Sequence, residues 1–324
     1  MANDGAIPSP RARQIIILCD GTGKNGAIDP HRPKPIPVTN IWRLYEAVKP
    51  GAKEAGDLVK YVPGVGGDNK DVATKDWLAR AFGHTAVVSI REIYMYIANN
   101  YKEGDNISLF GYSRGAFIVR KVASLIGVLG LIRDVDMFNT YWKNLEHKLP
   151  GKRRAKLPQN VKPVPISCVG VWDTVGTIIR PLLLRPVLNL LTLPDDDLPE
   201  VVQSALHVVA YHENRKLFDV TLWKDRPDND WVMAGEDTKS KLRQTLFPGC
   251  HSDVGGGGEP KEDSEDGPNV LPDVTLNWML RNMPQTISHT LRDPLKLKVS
   301  KECQLMSAFH DGPFWKRIPD SLFR

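Results

Sequence analysis

The segment ISLFGYSRGAFIVRKVASLIGVL, residues 107–129, constrains the fold more than any other part of the chain. An apolar run of strand type enters a Gly-Tyr-Ser-Arg-Gly turn and leaves it as apolar residues at helical spacing. G-x-S-x-G between a strand and a helix is the pattern of a nucleophile elbow, in which the serine takes strained dihedral angles. Gly111 and Gly115 leave the room that such a sharp turn needs. The pattern predicts Ser113 as a nucleophile above a sheet edge, and an idle serine in a glycine-rich turn is the alternative.

Strand and helix patterns alternate along the rest of the chain. Apolar runs typical of buried parallel strands occur at QIIILC and PISCVGVW, and LVKYV has the pattern of a second short strand. Helical spacing occurs at NIWRLYEAV and between residues 77 and 101. Repeated strand–loop–helix units favour a mostly parallel sheet with helices on both faces. We therefore predict the α/β class and an α/β-hydrolase-like fold, with one domain over residues 14–324 after a disordered tail at 1–13.

Composition excludes several classes of protein. A net charge of +5 over 324 residues is too small to indicate nucleic-acid binding. Four cysteines without a C-x-x-C pair argue against a disulfide framework or a zinc site, and favour a reducing compartment. No apolar leader and no run of membrane-spanning length are visible, so we expect a cytoplasmic protein.

A serine nucleophile needs a base and an acid that orients the base. In the α/β-hydrolase fold these follow the serine in the order acid, then histidine, at the ends of later strands. Asp173 directly follows the strand pattern ISCVGVW, although aspartate there is also a common turn residue. His251 follows the apolar run TLFPGC and precedes four glycines. We predict Asp173 as the acid and His251 as the base, with Asp253 as a rival acid or a supporting partner.

Two other histidines are secondary candidates. His207 and His212 lie in VVQSALHVVAYHENRKLF, which we interpret as a helix. A packed or exposed histidine is the simpler interpretation of both positions.

An oxyanion hole needs two backbone N–H donors. One is expected from Arg114, which follows the serine, and the other from the loop DGTG after the first strand. Gly21 or Thr22 offers that second N–H group, and Asp20 is expected to brace the loop. The competing interpretation is a phosphate-binding loop, but neither G-x-G-x-x-G nor G-x-x-x-x-G-K-[ST] is present.

Seven blocks of the sequence together resemble a known family. These blocks are IILCDGTGKN, YVPGVGG, LFGYSRGAFIVR, VGVWDTVG, ALHVVAYHENRKLF, TLFPGCHSDVGGG and LNWMLRNM. In this order, and over nearly the whole chain, they resemble the α/β-hydrolase domain of type VI secretion phospholipase effectors. The resemblance implies a Ser-Asp-His hydrolase whose characterised relatives cleave phospholipid acyl esters. It assigns nucleophile, acid and base to Ser113, Asp173 and His251. The chain departs from the family pattern at His212, where relatives usually carry an acidic residue.

Two segments bear on the substrate. Residues 178–200 begin with the leucine-rich run IIRPLLLRPVLNLLTL and are expected to form either a lid over the site or ordinary packed structure. The basic run KRRAK at 152–156 suits phosphate headgroups or an anionic membrane, but a solvated loop is the simpler interpretation.

The sequence as a whole predicts a phospholipase-like serine ester hydrolase without a metal or an organic cofactor. Its expected partners are a lipid or small-molecule ester and, peripherally, a membrane surface, but not nucleic acid. A small-molecule esterase, a thioesterase or an acyltransferase is the first alternative. A non-catalytic binding protein on the same fold is the second.

Overall fold

A computed structural model describes residues 11–24, 26, 38–64, 75–146, 162–176, 197–215, 218, 220–224, 241–258 and 270–288. Within residues 75–146, side chains are described only for 85–142. The strands are β1 (Gln14–Cys19), β2 (Leu58–Val62), β3 (Asn106–Tyr112), β4 (Ile166–Trp172), β5 (Ala205–Ala210) and β6 (Leu242–Phe247). The helices are α1 (Asn40–Ala55), α2 (Lys75–Asn100), α3 (Arg114–Leu129), α4 (Val135–Glu146), α5 (His251–Gly255), α6 (Leu271–Asn282) and α7 (Gln285–Ser288).

The six described strands form one sheet in the order β2-β1-β3-β4-β5-β6, and every neighbouring pair is parallel. From β1 the chain first adds β2 on one side and then crosses back to place β3 on the other. Such a reversal opens a crevice at the carboxyl ends of the two central strands, where open α/β sheets bind their ligands. The α/β class predicted from the sequence is confirmed.

Two apolar layers cover the two faces of the sheet. Ile15 and Ile17 face a core built with α2, α3 and α4, whereas Ile16 and Leu18 face one built with α1 and α6. This alternation follows from the two-residue period of a strand, and burial on both faces explains why β1 is an unbroken apolar run.

Several boundaries differ from those predicted. Residues 205–210, which we interpreted as part of a helix, form the buried strand β5, because neighbours on both sides supply its backbone hydrogen bonds. The disordered tail predicted for residues 1–13 includes Arg11 and Arg13, which form ion pairs with Asp57 and Asp105 in the structure. The predicted lid lies outside the described residues apart from positions 197–200.

Parallel strands bring the residues that follow them to one edge. Asp20 follows β1, Ser113 follows β3 and Asp173 follows β4, while Tyr211 follows β5 and His251 lies four residues beyond β6. We refer to this edge as the carboxyl edge of the sheet. Among the described residues, no helix is both long enough and apolar enough to cross a membrane.

Candidate active site

The turn between β3 and α3 has the geometry of a nucleophile elbow. Ser113 has φ 58° and ψ −121°, a conformation that non-glycine residues rarely adopt. A Cβ atom added to Gly111 would lie 2.6 Å from the Cα of Ala116, and one added to Gly115 would lie 2.2 Å from the carbonyl oxygen of Cys19. Both positions therefore require glycine, and the strained serine is placed at the amino-terminal end of α3.

Asp173 and His251 form a hydrogen-bonded pair at the same edge. The Nδ1 atom of His251 lies 2.6 Å from Oδ2 of Asp173, and both side chains are buried. The other carboxylate oxygen accepts a hydrogen bond of 2.8 Å from the backbone N–H of Ala210, which fixes the carboxylate on the end of β5. A carboxylate at Nδ1 selects the imidazole tautomer whose Nε2 lone pair is free to act as a base.

Asp173 is also held in a left-handed backbone conformation, with φ 42°. Its N–H group bonds the carbonyl of Val208, and the N–H of Val175 bonds the carbonyl of Ser113 at 3.2 Å. Tyr112 and Trp172, the residues immediately before Ser113 and Asp173, are paired in the sheet. The elbow and the loop of the acid therefore share one rigid backbone frame.

His207 lies in strand β5 and supports the backbone next to Asp173. Its Nε2 accepts from the backbone N–H of Thr174 at 3.3 Å, and its Nδ1 lies 3.1 Å from Oε1 of Gln244. Burial lowers the pKa of His207 to about 3, so the ring stays neutral and keeps its acceptor atom. His207 thus steadies the residue that follows Asp173.

His212 and Asp253 shape the turn that precedes His251. The exposed His212 accepts the backbone N–H of Gly249 at Nδ1, at 2.8 Å. Asp253 accepts the backbone N–H of Cys250 at 2.7 Å, and this contact belongs to the capping box of α5. His251 is therefore the first residue of a short helix, whereas we predicted a loop at this position.

The loop after β1 is held by Asp20, which is almost fully buried. One oxygen of its carboxylate accepts the N–H of Gly21 at 2.8 Å, and the other accepts the hydroxyls of Thr39 and Tyr61, each at 2.8 Å. Burial raises the pKa of Asp20 to about 6. A Cβ atom added to Gly21 would lie 3.1 Å from the Cβ of Ser113, so this loop lies directly against the elbow.

Sequence reasoning missed the residues that surround the His251 ring. Tyr112 stacks on the imidazole with ring centroids 4.7 Å apart, and Phe218 meets it edge-on at 4.8 Å. Glu213 accepts the backbone N–H of His251 at 3.1 Å. Tyr112 is the x of G-x-S-x-G that precedes the serine, a position the motif leaves open, and no local pattern marks Glu213 or Phe218.

Nothing in the described part of the chain resembles a metal centre, since no three His, Cys, Asp or Glu side chains cluster there in the manner of ligands. The polar groups of the carboxyl edge instead combine a strained serine with a carboxylate–imidazole pair. The sheet and the groups at its carboxyl edge together define an α/β-hydrolase-like domain.

Residues 13–282 match the family model described as "T6SS, Phospholipase effector Tle1-like, catalytic domain". The chain belongs to this family, as its motifs indicated. An uncharacterized protein of Saccharomyces cerevisiae is 30% identical over 236 residues, which are 65% of this chain and 32% of that protein. The chain thus spans about one third of the length of this curated relative.

Solved structures show weaker similarity. A protein from Pseudomonas aeruginosa matches with 20% identity and a TM-score of 0.47, covering 87% of this chain and 47% of that one. The Tle1 effector bound to the VgrG spike matches with 18% identity and a TM-score of 0.42, covering 81% and 55%. Acyl-protein thioesterase 2 of Zea mays matches with 10% identity and a TM-score of 0.31, covering 84% and 97%. The family assignment rests on the sequence match.

Proposed function

We propose that this protein is a serine ester hydrolase in which Ser113, His251 and Asp173 form the catalytic triad. The observation that carries the proposal is the 2.6 Å bond between His251 Nδ1 and Asp173, formed at the sheet edge that bears the strained Ser113. Asp173 orients the imidazole and stabilises its protonated form, while His251 removes the proton of the serine hydroxyl. Ser113 attacks the ester carbonyl, the alcohol leaves with the proton from His251, and water then hydrolyses the acyl-enzyme.

The oxyanion hole is assigned to two backbone N–H groups. Arg114 is the first residue of α3, where N–H groups have no acceptor within the helix. In the loop after β1, the N–H of Gly21 already donates to Asp20. Thr22 is therefore the better of the two predicted second donors, and Gly21 contributes the close approach to Ser113. The role of Asp20 is to hold this loop in place.

Family membership favours a phospholipid acyl ester as the substrate. Small-molecule esters, thioesters and acyl transfer use the same triad chemistry, so the substrate class is decided by measurement. We expect phospholipid vesicles to be hydrolysed in preference to short water-soluble esters of similar reactivity. Turnover of short esters or thioesters alone would assign the first alternative.

Replacing Ser113 with alanine tests the triad. We expect Ser113→Ala to lower kcat by about 10³-fold or more while the melting temperature changes little, because the small hydroxyl contributes little packing. Ser108→Ala is the matched control, because Ser108 is equally buried on β3, five residues before the elbow, and should keep full activity. A fluorophosphonate probe should label wild type and Ser108→Ala but not Ser113→Ala.

Activity of Ser113→Ala within tenfold of wild type would contradict the triad. Absence of both labelling and ester turnover in wild type would instead favour a binding protein on this fold.

A further inference from the structure

We propose that Glu213, braced by Arg215 and Phe218, acts beside Asp173 as a second residue that positions His251 for proton transfer. The three residues lie three to eight positions beyond the end of β5 and are referred to here as the His251 clamp. The inference rests on the function proposed above, because it concerns the residue assigned there as the base. It also gives a role to the segment in which the chain departs from the family pattern at His212.

The backbone of His251 is held at both of its polar groups. Glu213 Oε2 accepts the N–H of His251 at 3.1 Å, and the hydroxyl of Tyr112 donates to its carbonyl oxygen at 3.1 Å. The side chain of Glu213 is only 5% exposed, so water competes little for this contact. Together with the bond to Asp173, these contacts fix both the main chain and the ring of His251.

Arg215 holds the Glu213 carboxylate in a fork. Its Nε donates to Oε1 at 2.8 Å, its Nη2 donates to Oε2 at 2.7 Å, and its backbone N–H donates to Oε1 at 2.9 Å. The hydrogen bonds from Arg215 are the main cause that lowers the pKa of Glu213 to about 2. The carboxylate therefore remains an acceptor for His251 at every pH at which an ester hydrolase works.

The clamp also reaches the imidazole ring. The guanidinium carbon of Arg215 lies 3.8 Å from the centre of the Phe218 ring, which meets the His251 ring edge-on with centroids 4.8 Å apart. One ion pair thus supports His251 twice, through its backbone N–H and through an aromatic ring. Loss of this support would displace Nε2 relative to the serine, and displacements of about 1 Å cost up to about 100-fold in rate.

The test compares Glu213→Ala, Glu213→Gln and the control Glu103→Ala, which removes an exposed ion pair with Lys162. Rates are expressed per active site labelled by the fluorophosphonate. We expect Glu213→Ala to lower kcat by about 10- to 100-fold with KM within about threefold. Glu213→Gln should recover only part of this loss, because its amide oxygen can still accept from His251 while its NH2 group cannot accept from Arg215. The control should match wild type.

The proton shared by His251 Nδ1 and Asp173 provides a readout that does not depend on activity. Its downfield NMR resonance should broaden in Glu213→Ala, because a loosened imidazole exposes that proton to exchange with water, and should persist in Glu213→Gln and Glu103→Ala. A kcat within twofold of wild type in Glu213→Ala, or a loss explained by fewer labelled sites or by KM, would overturn the clamp.

Failure of the proposed function gives a different result. If wild type neither reacts with the probe nor cleaves any ester, the triad is withdrawn and the resonance alone decides the clamp. An unchanged resonance in Glu213→Ala then overturns the inference, and a broadened one supports it.

Discussion

The two loops that flank the elbow strand begin alike and are built differently. β1 and β4 lie on either side of β3, and each is followed directly by a buried aspartate, Asp20 or Asp173. The carboxylate of Asp20 accepts from Gly21, Thr39 and Tyr61, all neutral donors. The carboxylate of Asp173 accepts from one backbone N–H and is bonded to an imidazole.

This difference shows that position at the carboxyl edge does not define a role. Topology places both carboxylates beside Ser113, but their partners decide what each one does. Asp20 joins its own loop to the start of α1 and the end of β2, and thereby fixes backbone. Asp173 has a left-handed backbone, with φ 42°, and bonds the buried imidazole of His251, which stacks on the elbow residue Tyr112. Backbone strain of this kind is typical of functional positions.

The largest expected effect separates the two aspartates by activity. Asp173→Asn should lower kcat by about 10³- to 10⁴-fold, because an amide stabilises the wrong imidazole tautomer and cannot balance the imidazolium charge. Asp20→Asn preserves an acceptor for the loop donors and should cost no more than about tenfold. Steady-state rates of the two purified variants on one ester measure the contrast. Equal losses would mean that both loops are catalytic, and the reverse ranking would exchange their roles.

The second prediction concerns stability on the Asp173 side. The pKa of His207 is lowered by burial to about 3 from its ordinary 6.5, so below pH 6.5 the unfolded chain binds a proton that the folded chain does not. The free energy of unfolding contributed by this group therefore falls as the pH drops from 6.5 towards 3, by on the order of 4 kcal/mol. His207→Gln keeps a donor and an acceptor without titrating. Urea unfolding of both proteins across this range should show a larger acid loss in wild type than in His207→Gln.

Much of the fold was predictable, because its signals are local and repeated. Apolar runs of strand type identified β1, β3 and β4, and the glycines around Ser113 identified the elbow. The segment of β5 was wrongly assigned to a helix, since short apolar runs suit a buried strand and a buried helix equally. Neighbouring strands, which no local pattern reveals, decided its conformation.

The candidate site was predictable where chain order carries information. Ser113, Asp173 and His251 follow strands, so the parallel sheet brings them to one edge. Glu213 and Phe218 were not predictable, because their role depends on how the segment after β5 folds back onto His251. The hydrogen bond from the Gly21 N–H to Asp20 was not predictable either, because it depends on the conformation of the loop.

The third prediction concerns Asp20, for which the free energy of unfolding should change with pH in the opposite direction to that of His207. Burial raises the pKa of Asp20 from 3.8 to about 6, so between these values the folded chain holds a proton that the unfolded chain has released. The free energy of unfolding contributed by Asp20 therefore falls as the pH rises from 4 to 6, by on the order of 2 kcal/mol. The nearby charge of Lys24 opposes this shift, as do the donors to the carboxylate.

Asp20→Asn should remove that slope, measured by urea unfolding at pH 4, 5 and 6. If wild type and Asp20→Asn change in parallel over this range, the carboxylate is ionised throughout. The two loops would then not differ in charge state.

The smallest expected effect tests whether a third carboxylate shares the role of Asp173. Asp253 lies two residues beyond His251, but its carboxylate accepts the N–H of Cys250 within the capping box of α5. Asp253→Asn retains an acceptor oxygen for that N–H and should lower kcat by less than about tenfold, at a cost of about 1 kcal/mol in stability. Measured beside Asp173→Asn on the same ester, a loss above about 10³-fold would transfer the orienting role to Asp253. Asp173 would then be a brace like Asp20, and the contrast between the two flanking loops would disappear.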